Sequence, residues 1–385
     1  MRHLRRQGHE VRVLTTDHRS ADPDPAIGED PDAHRVLRWY WRDHAFPALS
    51  PLARLRIERH NAAALERQIA GFRPDAVAWW AMGGMSLGLI ERARRLGLPA
   101  VGVVGDDWMT YGPQVDAWQR GLRRTGPLAG AIARLTGLPA TADRSPVLWL
   151  FNSHATRWRA LGAGQALPRT EVVHPGIDDR LFTPAPAHAW GWRLLVVGRI
   201  DERKGIDTAI GSLAHLPGQA RLRIVGAGDP AALGDLRALA QRLGVAERVE
   251  LGVTVPRSEL RAAYAEADVL LFPTVWDEPW GLVPLEAMAV GTAVVATGTG
   301  GSREYLADTD NALVVGAGAG PGDLAAAVHR LAGDAGLRAR MRAGGRATAA
   351  RYPESAYNEA IERALRSCGR EARSGGPTSL REPSA

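Results

Sequence analysis

Apolar positions along the chain fall into short runs separated by stretches of helical spacing, and the two alternate almost throughout. Met1 to Gln7 reads as the last turns of a helix closed by Gly8, and Glu10 to Thr15 alternates as a strand. An amphipathic helix over Arg54 to Ala70 follows. Next come a strand at Ala76 to Trp80, a Gly83-Gly84 turn, a helix over Ser86 to Leu96 and a strand at Ala100 to Val104. Val147 to Asn152 is another strand, running into a helix from Ser153. The stretch Phe182 to His188, with Pro184 and Pro186, has the extended character of a linker. A second series then begins at Trp192 to Val197, with a helix from Ile206 and a strand at Val269 to Thr274. Pro279, Gly281 and Pro284 place the next helix start near Pro284, and that helix ends at Gly291. Strand Ala293 to Thr297, a helix from Ser302 and helical spacing at Leu324 to Leu331, Leu337 to Ala349 and Ser355 to Leu365 complete the pattern. This βαβ rhythm predicts an α/β protein with two domains.

Composition narrows the picture. The chain has 385 residues, 45% of them apolar, enough for two ordinary cores. No apolar run reaches the roughly 18 to 20 residues that span a bilayer, and the N-terminus lacks a signal-peptide core, so a cytoplasmic protein is expected. The single Cys368 excludes an internal disulfide and a cysteine metal cluster. Charge is uneven: residues 1–190 hold 25 basic and 19 acidic side chains, and residues 191–385 hold 23 of each. The basic excess of the first half suits a phosphorylated acceptor, peripheral contact with an anionic membrane face or a surplus with no partner at all, whereas nucleic-acid binding calls for denser basic runs. Arg35 to Arg42 interleaves bases with aromatics, a pattern open to lipid headgroups, an acceptor sugar or plain packing. Residues 18–34 read as a surface loop, and the chain from Ser374 as a disordered tail.

Candidate chemistry concentrates in two stretches. In Glu278-Pro279-Trp280-Gly281-Leu282-Val283-Pro284-Leu285-Glu286, two carboxylates bracket a turn feeding a helix. Glu286 is expected in the helix's first turn, where the free amides of Leu282, Val283 and Leu285 could receive a phosphate and the carboxylate could accept hydroxyl hydrogen bonds. Dipole complementation alone would also explain it. Gly198-Arg199-Ile200-Asp201-Glu202-Arg203-Lys204-Gly205 follows a strand, and Lys204 is the chain's only lysine among 48 Lys and Arg. A diphosphate can be held by one compact ammonium and one guanidinium fork. Gly105-Asp106-Asp107-Trp108 ends a strand where α/β folds place ligand groups, so Asp106 and Asp107 are site candidates, with a helix N-cap as the alternative. Ile224 to Ala231 matches a relaxed Gly-x-Gly-x-x-Ala dinucleotide fingerprint, but a first βα unit already precedes it, which argues against NAD.

Together these stretches resemble the retaining GT-B glycosyltransferases of family 4. The resemblance rests on Gly198-Arg199 with Lys204-Gly205, Ile224 to Gly228, Arg248 to Gly252, the Glu278 to Glu286 spacing, and Gly300-Gly301-Ser302-Arg303-Glu304. It implies two Rossmann-like domains facing a cleft, with a C-terminal helix crossing back to the first domain. On that basis residues 1–183 form an acceptor-side domain, 184–350 a nucleotide-sugar domain, 351–373 the crossover helix and 374–385 the tail. Arg199 and Lys204 would hold the donor diphosphate, Glu286 the ribose, and Glu278 the transferred sugar. Gly281, Leu282, Val283 and Gly228 would lie by the donor, and His174 is structural. A His-Asp pair common in the family stands here as Gly105-Asp106, leaving Asp106 to assist at the reacting sugar. The resemblance also implies a strand and glycine-rich loop ahead of Arg6-Gln7-Gly8, which this sequence does not supply. No cofactor is expected and no metal, since no Asp-x-Asp motif stands near these stretches. The expected partners are a nucleoside diphosphate sugar and a glycan, lipid-linked or small-molecule acceptor. Three rivals stay open: a two-carboxylate glycosidase, a nucleotide-sugar epimerase, and a truncated chain that binds nucleotide without turnover.

Overall fold

The computed structural model describes residues 1–18, 32–41, 46–145 and 147–373. Contacts divide the chain into two compact units. The first holds the described residues up to Val173 together with the chain from Asn358, and the second holds His174–Tyr357.

The first unit contains a parallel pair, β1 (Val13–Thr16) and β2 (Ala33–Leu37), and a four-stranded parallel sheet. The sheet is β3 (Val77–Trp80), β4 (Ala100–Val104), β5 (Leu148–Phe151) and β6 (Thr170–Val172), ordered as they occur in the chain. Every residue of β4 is buried, because helices cover a parallel strand on both faces. β1 begins at Val13, later than the expected Glu10, since its register is set by pairing with β2. Helix Pro51–Phe72 starts where Ser50 Oγ accepts the Ala53 amide and Pro51 supplies a preset φ. It ends at Arg73 in a left-handed conformation.

Aromatic residues after β2 turn mostly inward. Tyr40 is buried and donates its hydroxyl to Glu58, while Trp39 donates Nε1–H to the Gly83 carbonyl at 3.2 Å and lies 4.8 Å from the Trp41 ring. Arg42, the last residue of that interleaved stretch, lies outside the described residues, as do most of the expected 18–34 loop and the tail from Ser374. Beneath Tyr40 sits a cluster of buried polar groups. Glu58 takes the Tyr40 hydroxyl, Asn61 bridges the Arg38 backbone and Ser86, and Asp116 accepts the amides of Leu87 and Gln119 at 2.9 and 2.8 Å.

The second unit is built on one six-stranded parallel sheet: β7 (Arg193–Val197), β8 (Arg221–Val225), β9 (Val249–Val253), β10 (Val269–Phe272), β11 (Ala293–Ala296) and β12 (Leu313–Val314). Its order is β12-β11-β10-β7-β8-β9. Side chains alternate between two cores, one per face: Leu194, Val196, Val269 and Leu271 enter one, and Leu195, Leu270 and Phe272 the other. Phe182 and Ile177 are almost fully buried in the second of these, so the expected linker begins as an anchored segment. Contacts therefore divide the chain at Val173/His174, ahead of the expected 183/184.

The helix after β10 runs Leu282–Val290, starting two positions before Pro284. Proline is tolerated there because the first turn's amides have no intrahelical acceptor, so none is lost. Glu286 is consequently the fifth residue of the helix, in its second turn, which corrects the first-turn expectation. The amides of Leu282 and Val283 open this helix, where first-turn N–H groups have no intrahelical acceptor.

Candidate functional site

Strand order positions the site. From β7 the second unit's sheet grows outward through β8 and β9, then the chain returns to lay β10 against the other side of β7. The carboxyl ends of β7 and β10 thus flank the point where the winding direction reverses, where open α/β sheets hold ligands.

Loops leaving those two ends are fastened together. After β7, Asp201 accepts the Arg203 amide at 3.0 Å and closes the short turn Glu202–Lys204. Gly205 follows with φ +62°, and a Cβ there would stand 2.1 Å from the Pro273 carbonyl oxygen, so the approach of the two loops requires glycine. From the β10 side, the Val275 amide and Thr274 Oγ1 both donate to the Arg203 carbonyl at 2.9 Å. Lys204 Nζ then reaches Glu278 Oε2 at 2.8 Å, and Trp276 Nε1–H donates to the same oxygen at 3.1 Å. Arg203 lies over the Trp276 ring, 4.6 Å from its centroid.

Backbone bonds hold Glu278 in place. Its carbonyl takes the Gly301 amide at 2.6 Å, Tyr305 donates to the Gly281 carbonyl at 2.6 Å, and Trp280 Nε1–H donates to the Pro175 carbonyl at 3.0 Å. His174 stacks on Trp280 with centroids 4.3 Å apart and planes 15° from parallel, the use of an aromatic wall.

Glu286 sits in a separate cradle, only 3% exposed. Tyr264 donates its hydroxyl to Oε2 at 2.8 Å and Arg257 pairs with Oε1 at 3.1 Å. Burial raises the Glu286 carboxyl above its ordinary range, against the lowering effect of Arg257 and Tyr264. Arg257 also lies over the Phe182 ring at 5.3 Å, which fixes its direction.

The structure therefore joins Lys204 to Glu278 and sets Glu286 under Arg257. Arg199 is different: its side chain is 73% exposed, with only a 3.8 Å approach to Asp201. Gly228 faces Ile200, where a Cβ would come within 2.5 Å of the Ile200 Cβ, so this glycine serves a close approach of two loops of the same sheet. In the first unit, Asp106 at the end of β4 accepts the Trp108 amide and the Tyr111 hydroxyl, each at 3.1 Å, and burial raises its carboxyl. The capping position falls to Asp107, which makes no side-chain cap bond and turns to Arg159 at 2.8 Å, while Asp106, one residue earlier, takes the first helical amide.

Sequence reasoning passed over Trp276, Arg257 and Tyr264. Trp276 stood two residues before a singled-out glutamate, and Arg257 lay five residues past Gly252, the end of a stretch that carries the resemblance.

Two family models match. Residues 190–348 match glycosyl transferases group 1, and residues 1–181 match glycosyltransferase family 4. A D-inositol 3-phosphate glycosyltransferase of Xylanimonas cellulosilytica is 37% identical over 206 residues, covering 49% of this chain and 49% of that protein. The chain spans about half the length of the curated relatives it matches. Among solved structures, a sucrose-phosphate synthase from Thermosynechococcus elongatus superposes with TM-score 0.69 at 21% identity, over 94% of this chain and 90% of that one. WaaG, a glycosyltransferase involved in lipopolysaccharide biosynthesis, gives 0.64 at 21% identity, over 94% and 93%. At these identities the two structures speak for the fold.

Proposed function

The chain belongs to the group 1, family 4 glycosyltransferases with the GT-B fold, and from that premise we propose that it moves a sugar from a nucleoside diphosphate sugar to an acceptor hydroxyl, with retention at the anomeric carbon. The observation carrying this reading is the Lys204–Glu278 pair at the switch point of the second unit's sheet. An ammonium and a carboxylate side by side suit a ligand that has a phosphate at one end and sugar hydroxyls at the other.

In this reading the bond from the anomeric carbon to the diphosphate breaks, a bond to the acceptor oxygen forms on the same face, and the acceptor's hydroxyl proton passes to the departing diphosphate. Negative charge grows on the diphosphate. Lys204, Arg199 and the amides of Leu282 and Val283 would stabilise it without a metal ion. Glu278 would accept hydroxyl hydrogen bonds from the sugar, and Glu286, oriented by Tyr264 and Arg257, would do the same for the ribose. Asp106 in the first unit would support positive charge at the reacting carbon or direct the acceptor. The acceptor is a hydroxyl of a glycan, a lipid or a small molecule, and the relatives named for D-inositol 3-phosphate make a polyol phosphate the first to try. The basic excess of residues 1–190 adds a peripheral contact with an anionic membrane face.

Calorimetric titration with UDP, GDP and ADP tests the donor side without an acceptor. We expect one of them to bind, and Lys204→Ala to weaken it about 10- to 100-fold, the worth of a charge-assisted phosphate contact. A folded wild-type chain that binds none of the three would falsify the transferase reading.

A further inference from the structure

Residues 117–142 contain no acidic side chain and four arginines. In the first unit they form helix Ala117–Arg123, the turn Gly126–Leu128 and helix Ala129–Thr136. Their underside is anchored: Trp118, Leu122 and Leu138 are buried together, and Ala129 and Ile132 pack against them. The opposite side is bare. Leu128 is 63% exposed and Leu135 88%, and being seven positions apart they share a face two turns long. Arg124 and Arg134, next along the chain, are exposed as well, as is Arg123, whose guanidinium donates to the Pro113 carbonyl.

We infer that this ridge is the surface by which the protein sits on an anionic lipid layer, which names the face behind the membrane contact proposed above. A bilayer surface is stratified, anionic at the headgroups and apolar just beneath. The ridge pairs the same two chemistries, exposed leucines with exposed arginines next to them in the chain. A nucleic acid would satisfy the arginines and leave the leucines in water. No helix among the described residues is long and apolar enough to cross a membrane, so the contact lies on the surface.

The test is co-sedimentation of the full chain, without donor, with vesicles of phosphatidylcholine mixed with phosphatidylglycerol and with vesicles of phosphatidylcholine alone. We expect binding to the mixed vesicles only, reversed by salt. Arg124→Ala and Arg134→Ala should each weaken it about fivefold. Leu128→Ser with Leu135→Ser should weaken it about tenfold or more. Leu243→Ser, an exposed leucine of the second unit, should change nothing. Thermal melts establish that each variant is folded. As a second readout, a nitrobenzoxadiazole label on Leu135→Cys should brighten when vesicles are added, the native Cys368 being buried. The inference is overturned if the wild type ignores anionic vesicles, if the ridge variants bind as the wild type does, or if the label stays in a water-like state on bound protein. It is equally overturned if sedimentation velocity shows self-association through this face while vesicles go unbound. Nucleotide titration is independent of every one of these outcomes, so the donor reading and the lipid reading can fail separately.

Discussion

Two pairs of buried carboxylates, one in each unit, are held on opposite terms. At the switch point of the second unit, Glu278 and Glu286 each have a cation within reach, Lys204 at 2.8 Å and Arg257 at 3.1 Å, and both cations are partly exposed at 17% and 41%. In the first unit, Glu58 and Asp116 are buried among neutral donors, namely the Tyr40 hydroxyl and the amides of Leu87 and Gln119. Burial together with the Asp116 charge pushes Glu58 up to about 8. On the proposed reading the difference separates use from support: a carboxylate beside a partly exposed cation can exchange partners with a ligand, and one sealed among amides holds the fold.

The largest effect expected from breaking this contrast is on stability. Asp116→Ala strips two buried amides of their acceptor, and urea unfolding should show a loss of about 3 to 5 kcal/mol. Nucleotide affinity of the folded fraction should stay unchanged; a variant that kept its stability and lost affinity would erase the distinction. Next comes Lys204→Ala, with its 10- to 100-fold weaker nucleotide binding and no matching effect from Glu58→Gln. Third is a pH effect. A carboxyl titrating near 8 when folded and near 4.5 when unfolded holds an extra proton in the folded state between those values. Its contribution to stability is therefore complete below about pH 4.5 and falls as pH rises toward 8. Melting temperature measured from pH 5 to 8 should decline more steeply for the wild type than for Glu58→Gln, and parallel curves would remove Glu58 from the account. The smallest effect is at Arg257. Because Arg257 lowers a carboxyl that burial raises, Arg257→Ala should shift Glu286 further up. Nucleotide affinity should then drop about three- to tenfold, more at pH 6 than at pH 8, with Arg257→Lys recovering part of it.

Much of the fold was legible because burial on both faces writes itself into the sequence. β4 and β10 are apolar runs bounded by glycine, proline or acid and β11 is one bounded by threonines, and each begins where the pattern put it. Where expectation slipped, a local rule had a local exception. Pro284 costs nothing at a position whose amide has no intrahelical acceptor, so the helix starts earlier and carries Glu286 into its second turn. Lys204 was visible as a lone lysine among arginines, and Glu278 as a carboxylate in a loop of three helix-breaking residues. Their meeting was not visible. It depends on β10 returning to lie beside β7, a pairing between residues some seventy positions apart that periodicity cannot register. Trp276, Arg257 and Tyr264 were hidden for the same reason: their importance lies in which carboxylate they touch. Gly226 and Gly228 look like a nucleotide fingerprint in sequence, yet a Cβ at Gly226 would lie 1.8 Å from the Gly198 carbonyl oxygen, so tight loop closure already explains the motif.

The helix Glu354–Arg373 opens in the second unit, and from Asn358 onward it counts with the first, where Glu362 receives His3 and His9 and Cys368 lies against the Ala100 carbonyl. The first unit is therefore written in two separate passages of the gene, with the whole of the second enclosed between them. A recombination event that exchanged only the leading passage would deliver a unit without its own closing helix. A viable transplant of that unit between relatives must carry two separate segments, while the enclosed unit can be replaced as a single cassette.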